Sequence, residues 1–539
     1  MDVDAVDERI RAYLDRRMGE LLAPGVQIAL TDRDRTLALV CHGFANAEAR
    51  TPVEAHHRFQ IGSISKGFTV MALLQEREAG NLDLDAPVTD YLPWLEIASP
   101  FPPITVHHLL SHTAGIVMGG EATGEGTHAV WSLHQLEPGF APGERFWYSN
   151  HGYKALGLIL ERITGRAWFD VVRERVMVVA GMGDSPPTIT HDVRPTLAVG
   201  YSAPFDDRPW QPAHGLAPAV WSESGTADGT ICATAEQLAG YVRLVLNRGD
   251  RVVTDESFEL MSRPIARDLD TAGDVYGYGL KWVEERFLGH SGSTIGYVAL
   301  ALCEPKTGFG VAICANGMGG MGPRIHLARF ALATLAAAAA GDALPDIPEP
   351  SDEASIPGAE RYAGLYRGER RSFEIRAEGD RLVLAGERDA KLVPFDSPDS
   401  GSFLVDDREL DRFILRFAVS SGAGRPTVLD HGPDRYARDG EPQSPRAPTE
   451  VDPFVGHYRT HDPWQANIRV FVRDGALWLQ DNSSDDARYH ERPLEPFGND
   501  SFRVGESWSP DRIRFDAVID GRATRAIYDG EPMYRTFTP

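Results

Sequence analysis

The C-terminal third of the chain contains an internal repeat, and this repeat constrains the fold more than any other feature of the sequence. Residues 362–367 read YAGLYR, and residues 454–459 read FVGHYR. Further along, DRFILRF at 411–417 corresponds to DRIRF at 511–515. Within each copy, short apolar runs alternate with turn residues, which is typical of short antiparallel strands that close a barrel. The repeat therefore predicts two small, homologous antiparallel β-barrels.

Two stretches rich in proline and acidic residues separate these copies from each other and from the rest of the chain. GDALPDIPEPSDEASIPGAE spans 341–360, and DGEPQSPRAPTEVDPF spans 439–454. Spaced prolines without apolar periodicity are typical of linkers. We therefore predict three domains, at residues 1–345, 359–440 and 453–539.

The first domain mixes strand and helix patterns. VQIALTDR and TLALVCHGFAN predict an opening hairpin, and YVALALCEP and FGVAICAN predict two strands near the end. Helical periodicity covers 63–79 and 151–164, each followed by a glycine suited to a C-cap, and an alanine-rich helix is predicted over 322–340. Strands at both ends with helices between them predict an α+β fold. The terminal strands would share one sheet and bury the last helix against it.

The charge of the chain excludes several classes of partner. Its 539 residues include 54 basic and 78 acidic side chains, for a formal net charge of −24. Such a surface repels phosphate backbones and anionic membranes, so we expect neither nucleic-acid nor membrane partners. The charged N-terminus lacks the apolar core of a signal peptide, and the four cysteines neither suffice for a disulfide framework nor show C-x-x-C spacing. These features predict a cytoplasmic location.

One of the rare lysines stands in a short motif with two serines. Only five of the 54 basic residues are lysines, and one belongs to Ser63-Ile64-Ser65-Lys66 at the start of a predicted helix. Residues three apart share a helix face, so Ser63 and Lys66 are expected to be neighbours. A neutral lysine amine can take a serine proton, which a permanently charged arginine cannot. The N–H of Ser63, at the positive end of the helix dipole, is a candidate oxyanion donor. The alternative is a chance occurrence of this spacing.

Two further motifs carry polar side chains at the ends of predicted elements. Tyr148-Ser149-Asn150 precedes the helix at 151–164, and His290-Ser291-Gly292-Ser293 precedes a strand. We expect a nearby ammonium to lower the pKa of Tyr148, so that its phenol relays protons, and Asn150 to bind a substrate amide. Gly292 would leave room for a substrate beside its strand, and the Ser293 N–H is a candidate second oxyanion donor. A helix cap and a structural histidine are the respective alternatives.

In order and rough spacing, the three motifs resemble those of the serine β-lactamase and penicillin-binding protein superfamily. Four segments resemble its class C branch, over nearly all of residues 10–340: RFQIGSISKGFTVMALLQEREAGNLDLDAPVTDYLP, ITVHHLLSHTAGI, FAPGERFWYSNHGYKALGLILERITGR and GHSGSTIGYVALALCEPKTGFGVAICANG. The resemblance implies an α+β fold with an antiparallel sheet flanked by helices. It implies Ser63 as the acylated nucleophile, Lys66 as its base or base partner, and Tyr148 as general acid and base. It also implies that Asn150 and His290 position the substrate and that the N–H groups of Ser63 and Ser293 form the oxyanion hole.

The third motif departs from the Lys-Thr-Gly that is usual in class C β-lactamases, because His290 stands in the lysine position. Histidine removes a fixed cation that would bind a substrate carboxylate, which disfavours a dedicated β-lactamase and a strict carboxypeptidase. The histidine form resembles that of D-aminopeptidases, some DD-peptidases and family esterases. A catalytic domain followed by two lipocalin-like barrels also resembles the D-aminopeptidase arrangement, in which barrel loops narrow the active-site mouth. Similar barrels occur beside esterases and beside penicillin-binding-type thioesterases that cyclise peptides.

Several other residues receive structural interpretations. His107, His108 and His112 lack a nearby carboxylate to complete a ligand set, so we expect no metal there. Lys154 is interpreted as a cation on the surface or just behind the site, and Lys281 as packing along a strand. Trp147 is a candidate for the cleft, with a core position as the alternative. Trp221 and Tyr297 are candidates for the cleft by position alone.

Together these observations predict a serine hydrolase that works through a Ser63 acyl-enzyme on a small-molecule or short-peptide amide, with a D-residue at the acylating position. The chemistry requires neither cofactor nor metal. The alternatives are a carboxylesterase or an acyltransferase, including a peptide-cyclising thioesterase, and a noncatalytic acyl sensor that is acylated without turnover. The sequence leaves open whether the barrels gate the site, bind a partner or stabilise a homodimer.

Overall fold

The computed structural model describes most of the chain. The described residues are 1–119, 126–268, 273–350, 352–418, 424–438, 440, 449–482, 489–498 and 500–536.

An antiparallel sheet with strands of different lengths forms the centre of the first domain. Over the described residues its nine strands follow the order β3-β2-β1-β13-β12-β11-β10-β9-β8, and β4–β7 and β5–β6 form two small separate pairs. The strand bounds are β1 Gly25–Thr31, β2 Thr36–Asn46, β3 Thr51–Pro52, β4 Phe59–Gln60, β5 Tyr201–Ser202, β6 Ala217–Pro218, β7 Cys232–Ala233, β8 Ala266–Arg267, β9 Val275–Tyr276, β10 Lys281–Val283, β11 Phe287–Thr294, β12 Tyr297–Glu304 and β13 Phe309–Ala315. Because β1 pairs with β13, the two ends of the domain share one sheet, as predicted.

Helices cover both faces of this sheet. Their bounds are α1 Val3–Arg17, α2 Ser65–Glu78, α3 Val88–Tyr91, α4 Val106–Leu110, α5 Gly126–Trp131, α6 Asn150–Thr164, α7 Trp168–Val172, α8 Ala235–Leu246, α9 Asp255–Ser262 and α10 Gly322–Ala340. Alternate residues of a strand face opposite sides. Accordingly, Val26 and Ile28 of β1 pack with α1 and α10, whereas Ala29 belongs to the core on the other face, with α2 and α8.

The predicted helices are present with small shifts at their ends. The last helix, α10, has the predicted bounds and lies buried against the sheet. The helix α6 ends at Gly165, whose φ of +67° is the left-handed conformation that glycine adopts at a C-cap. The first long helix, α2, begins only at Ser65, because residues 62–64 form a tighter 3₁₀ turn.

The two repeat copies form two closed antiparallel barrels, each of eight strands over the described residues. The first contains β14 Gly364–Arg367, β15 Ser372–Glu378, β16 Arg381–Leu384, β17 Ala390–Pro394, β18 Ser402–Val405, β19 Leu415–Phe417, β20 Val428–His431 and β21 Asp434–Arg438. The second contains β22 Gly456–Arg459, β23 Asn467–Arg473, β24 Ala476–Asn482, β25 Tyr489–Pro496, β26 Ser501–Val504, β27 Arg512–Ile519, β28 Arg522–Tyr528 and β29 Glu531–Arg535.

The same tyrosine contact occurs at equivalent positions of both barrels. The hydroxyl of Tyr366 donates to the carbonyl of Tyr362 at 2.9 Å, and that of Tyr458 donates to the carbonyl of Phe454 at 2.8 Å. A guanidinium lies over each tyrosine ring, from the last strand of the same barrel. The repeated sequence therefore encodes a repeated structure.

Both barrels contact one irregular segment of the first domain. Arg208 donates to the Asp411 carboxylate of the first barrel at 2.8 Å, and the main-chain carbonyl of Asp206 accepts from Asn467 of the second at 2.6 Å. Part of the second predicted linker, residues 439 and 441–448, lies outside the described residues. Within the described part of the chain, none of the helices has the length and apolar composition needed to cross a membrane.

Candidate active site

The Ser63 turn and the Lys66 side chain form the centre of the site. Lys66 lies in the first turn of α2, and its Nζ donates to Ser63 Oγ at 3.0 Å. Two further donations go to Asn150 Oδ1 at 2.8 Å and to the main-chain carbonyl of Asp228 at 2.7 Å. The lysine is fully buried while Ser63 keeps part of its surface accessible. These contacts hold the amine in place. Of the three acceptors, Ser63 Oγ alone belongs to a hydroxyl, which has a proton that the amine could take.

Tyr148 reaches the same serine from the segment before α6. Its phenol hydrogen-bonds to Ser63, and Lys66 Nζ lies 4.9 Å from the centre of its ring. Burial raises the pKa of Tyr148, and this effect outweighs the hydrogen bond to Ser63 that lowers it. The expected lowering by a nearby ammonium is therefore wrong, because desolvation of the phenolate dominates. Tyr148 is held as a neutral phenol.

Asn150 stands at the first position of α6, directly after a residue that caps the helix. Ser149 caps the helix, since its Oγ accepts from the Gly152 N–H at 3.1 Å. This cap leaves the next side chain, Asn150, directed at Lys66 rather than at its own helix. The predicted contact between Asn150 and a substrate amide stays a prediction.

Gly292 allows β11 to pass directly against the Ser63 turn. A Cβ at Gly292 would lie 1.9 Å from the carbonyl oxygen of Ile61 and 3.0 Å from the Ser63 nitrogen. On the other side of this contact, a Cβ at Gly62 would lie 2.6 Å from the Ser293 nitrogen. The small residue therefore makes room for the neighbouring backbone, not for a substrate as the sequence suggested. The two close approaches place the main chain at Ser63 next to the main chain of β11 at Gly292 and Ser293.

His290 directs both ring nitrogens into the protein. Its Nδ1–H donates to the Ser291 carbonyl at 2.5 Å, so Nε2 accepts from the Tyr276 hydroxyl at 3.0 Å. Burial, together with the positive charges of Lys281 and Lys66, lowers the pKa of His290 to about 3. The imidazole is therefore neutral, and its predicted part in positioning a substrate would have to act through these neighbours.

The histidines near the start of the domain have structural contacts. His107 hydrogen-bonds to Tyr278 at 2.6 Å, His108 completes a capping box at the start of α4, and His112 Nδ1 accepts from the Ser149 N–H at 3.0 Å. Within the described residues, no group of three or more His, Cys, Asp or Glu side chains is arranged to hold a metal ion.

The remaining sequence interpretations have mixed outcomes. Lys281 lies in β10 and forms an ion pair with Asp274 at 3.2 Å, as expected for a strand residue. Lys154 is buried in α6 at 1% exposure, so the surface position is wrong, and the alternative position just behind the site stays a prediction. Burial raises the pKa of Asp462, and the charge of Lys154 offsets part of that rise. Tyr297 is buried and donates to the Ala198 carbonyl at 2.6 Å, whereas Trp221 is partly accessible, and a position in the cleft stays a prediction for both.

A loop of the second barrel packs on the segment that leads to Tyr148. Trp508, between β26 and β27, lies edge to face with Trp147 at 5.6 Å and beneath the Arg145 guanidinium at 4.9 Å. A Cβ at Gly139 would lie 2.4 Å from the carbonyl oxygen of Trp508. The barrel therefore supports the wall of the site directly beside Tyr148.

Three contributors to the site were missed in the sequence. Asp228 acts through its main-chain carbonyl, which no side-chain pattern can reveal. Tyr276 contacts His290 from β9, and His112 contacts the Tyr148 segment. The sequence feature that could have pointed to them is composition: Tyr276 lies in the aromatic-rich segment YGYGLKW, and His112 lies in the histidine-rich segment HHLLSHTAG.

Fold and sequence similarity together indicate a serine hydrolase. The sequence profile of the β-lactamase family matches residues 10–336. The chain therefore belongs to the β-lactamase family.

One of two curated relatives extends the similarity to 94% of the chain. The D-aminopeptidase of Cereibacter sphaeroides is 26% identical over 526 residues, which cover 94% of this chain and 91% of that protein. Penicillin-binding protein 4 of Amycolatopsis lactamdurans is 28% identical over 318 residues, covering 54% of this chain and 81% of that protein. The similarity to the aminopeptidase thus includes both barrels.

Two solved structures share the fold. The octameric penicillin-binding protein homologue from Pyrococcus abyssi matches with a TM-score of 0.56 and 25% identity, covering 81% of this chain and all of that one. The D-amino acid amidase from Ochrobactrum anthropi SV3, complexed with L-phenylalanine amide, matches with a TM-score of 0.52 and 22% identity, covering 61% and 98% of the two chains. The second similarity concerns the fold alone.

Proposed function

We propose that this chain hydrolyses amides or short peptides with a D-residue at the acylating position, through an acyl-enzyme on Ser63. The observation that carries the proposal is the 3.0 Å contact between Lys66 Nζ and Ser63 Oγ, in a lysine fixed by two other acceptors. The choice of a D-amino-acid substrate is supported by the relation to a D-aminopeptidase over 94% of the chain.

In the acylation step, the neutral form of Lys66 takes the proton of Ser63 as Oγ attacks the substrate carbonyl carbon. In this proposal the N–H groups of Ser63 and Ser293, on the two segments that meet at Gly292, donate to the carbonyl oxygen as it gains negative charge. Tyr148 gives its phenolic proton to the leaving amine as the C–N bond breaks, and Lys66 returns a proton to the phenolate. The raised pKa of Tyr148 suits this part, because it keeps the acid protonated until the amine leaves.

In the deacylation step, water attacks the ester carbon and gives one proton through Tyr148 and Lys66 to the departing Ser63 Oγ. The products are the free acid and the restored serine, so the cycle balances without a cofactor. An amine or alcohol in place of water would give acyl transfer with the same residues.

Side-by-side turnover of three substrates tests the proposal. We expect D-alanine p-nitroanilide to be cleaved about tenfold or more faster than the L-anilide. The reason is that the side chain of the L-enantiomer would lie against the wall of the site when its carbonyl faces Ser63. The third substrate is p-nitrophenyl butyrate, and Ser63→Ala is the control that should cleave none of them. Cleavage of the ester alone, lost in Ser63→Ala, would replace the D-peptide assignment with an esterase or acyltransferase. A single stoichiometric release without turnover would indicate the acyl sensor.

Association and location are part of the same proposal. A homo-oligomer is supported by the fold similarity to an octameric homologue, and a homodimer is one of the possibilities that the sequence left open. The cytoplasmic location stays a prediction from the sequence.

A further inference from the structure

We infer that His112 is a positioning residue that holds Tyr148 in place as the proton donor to the leaving group. The inference rests on the proposed function of Ser63 and Tyr148. It concerns a histidine that the mechanism above does not use and that lies on a different segment from the three motifs.

His112 holds the residues on both sides of Tyr148. The main-chain carbonyl of His112 accepts from the Trp147 N–H at 2.8 Å. Its side-chain Nδ1 accepts from the Ser149 N–H at 3.0 Å. One residue thus binds the backbone before and after the tyrosine, so the main chain that carries the tyrosine cannot shift without breaking one of these bonds.

The imidazole of His112 also packs on the phenol itself. The two ring centres are 4.1 Å apart, and the ring centres of Tyr153 and Tyr276 lie 4.9 and 4.8 Å from that of His112. His112 is 1% exposed, so no water competes for these contacts. The imidazole therefore packs against the Tyr148 ring, while its Nδ1 holds the main chain next to the tyrosine.

The protonation state of His112 suits an acceptor. Burial, and then the positive charge of Lys66, lowers its pKa well below the usual value. Because the Ser149 N–H can only donate, Nδ1 carries no proton and the neutral ring carries its proton on Nε2. His112 is therefore a fixed acceptor and not a titrating group in this reaction.

The backbone at His112 is set in an uncommon conformation that makes both contacts possible. Its φ is +56°, in the left-handed region that bulky residues rarely adopt. This turn directs the carbonyl and the side chain of the same residue toward one neighbouring segment. The cost of such a conformation is expected to be retained where the surrounding contacts require it.

A leaving-group comparison tests the inference. A p-nitrophenolate leaves without a proton, whereas an anilide or alkyl ester of the same acyl group needs one from Tyr148. Replacing His112 by Leu removes the acceptor, so we expect kcat for the substrate that needs a proton to fall about tenfold or more while KM changes little. The p-nitrophenyl ester should lose less than about threefold, because acid catalysis contributes little to its release.

Two further substitutions separate the acceptor from general packing. His112→Asn places an amide oxygen where Nδ1 stands and tolerates a positive φ, so it should recover most of the lost kcat. His112→Gln reaches the place of Nε2 instead and should behave as His112→Leu does, which keeps the test available if the Leu variant does not fold. His107→Leu is the matched control. It removes a histidine contact with Tyr278 and leaves the contacts of the Tyr148 segment intact, so the two leaving groups should respond alike.

Equal losses for both leaving groups in every His112 variant would overturn the inference, because a merely structural role lowers both rates alike. A rate for His112→Leu or His112→Gln equal to that of the wild type would also overturn it. Failure of the proposed function is recognised separately, since Ser63→Ala would then retain the activity of the wild type on both substrates.

Discussion

Replacement of Lys66 by Arg is expected to abolish acylation of Ser63, with a loss of about 10³-fold in kcat/KM. The substitution keeps the positive charge, but a guanidinium does not release its proton in proteins and so cannot accept one from the serine. Lys66 Nζ lies 3.0 Å from Ser63 Oγ, with the Asn150 side-chain oxygen and the Asp228 carbonyl as two further acceptors.

The matched control is Lys281→Arg in the same domain. Lys281 forms an ion pair with Asp274 at 3.2 Å, a contact that arginine can also make. We expect this variant to keep activity within about threefold of the wild type, because only charge is required there. Residual activity of Lys66→Arg above about a tenth of the wild type would contradict the proton transfer assigned to Lys66.

Replacement of Gly292 by Ala is expected to reduce acylation by about 10²-fold, because it moves one of the two proposed oxyanion donors. The added Cβ would lie 1.9 Å from the Ile61 carbonyl oxygen, so β11 and the Ser63 turn must separate. We also expect a loss of about 1–3 kcal/mol in the free energy of unfolding from overpacking. The rate at which a fluorophosphonate, a reagent that forms an ester with an activated serine, labels Ser63 measures the first effect. Thermal unfolding measures the second.

A second glycine of the same strand provides the control for stability. A Cβ at Gly289 would lie the same 1.9 Å from a carbonyl oxygen, but that oxygen belongs to Ala301 on β12 and not to the Ser63 turn. Gly289→Ala should therefore destabilise the fold to a similar degree and lower acylation much less. A similar loss of acylation in the two variants would show that Gly292 has no special relation to the oxyanion donors.

Much of the fold could be predicted from the sequence because it depends on local patterns. Apolar alternation located the terminal strands, and the alanine-rich helix α10 appears over the predicted residues 322–340. The repeat predicted two barrels because the same strands and turns recur in both copies. Ser63 and Lys66 are neighbours because they stand three positions apart in a tight helical turn.

The rest of the site depends on burial and on backbone contacts between distant segments. The pKa of Tyr148 is raised by desolvation, a quantity that the sequence does not carry. Gly292 faces the backbone of Ile61, although the sequence suggested open space beside it. Asp228 contributes a carbonyl group, which every residue possesses. Such contributions become visible only when the chain is folded.

The most direct test of the central claim is peptide mapping of the protein after inactivation by a fluorophosphonate, which forms a stable ester with an activated serine. We predict one adduct per chain on the peptide that contains Ser63, formed in proportion to the loss of hydrolytic activity and absent in Ser63→Ala. Hydrolytic activity retained in Ser63→Ala, or inactivation that accompanies an adduct on another residue, would contradict the assignment of Ser63 as the nucleophile.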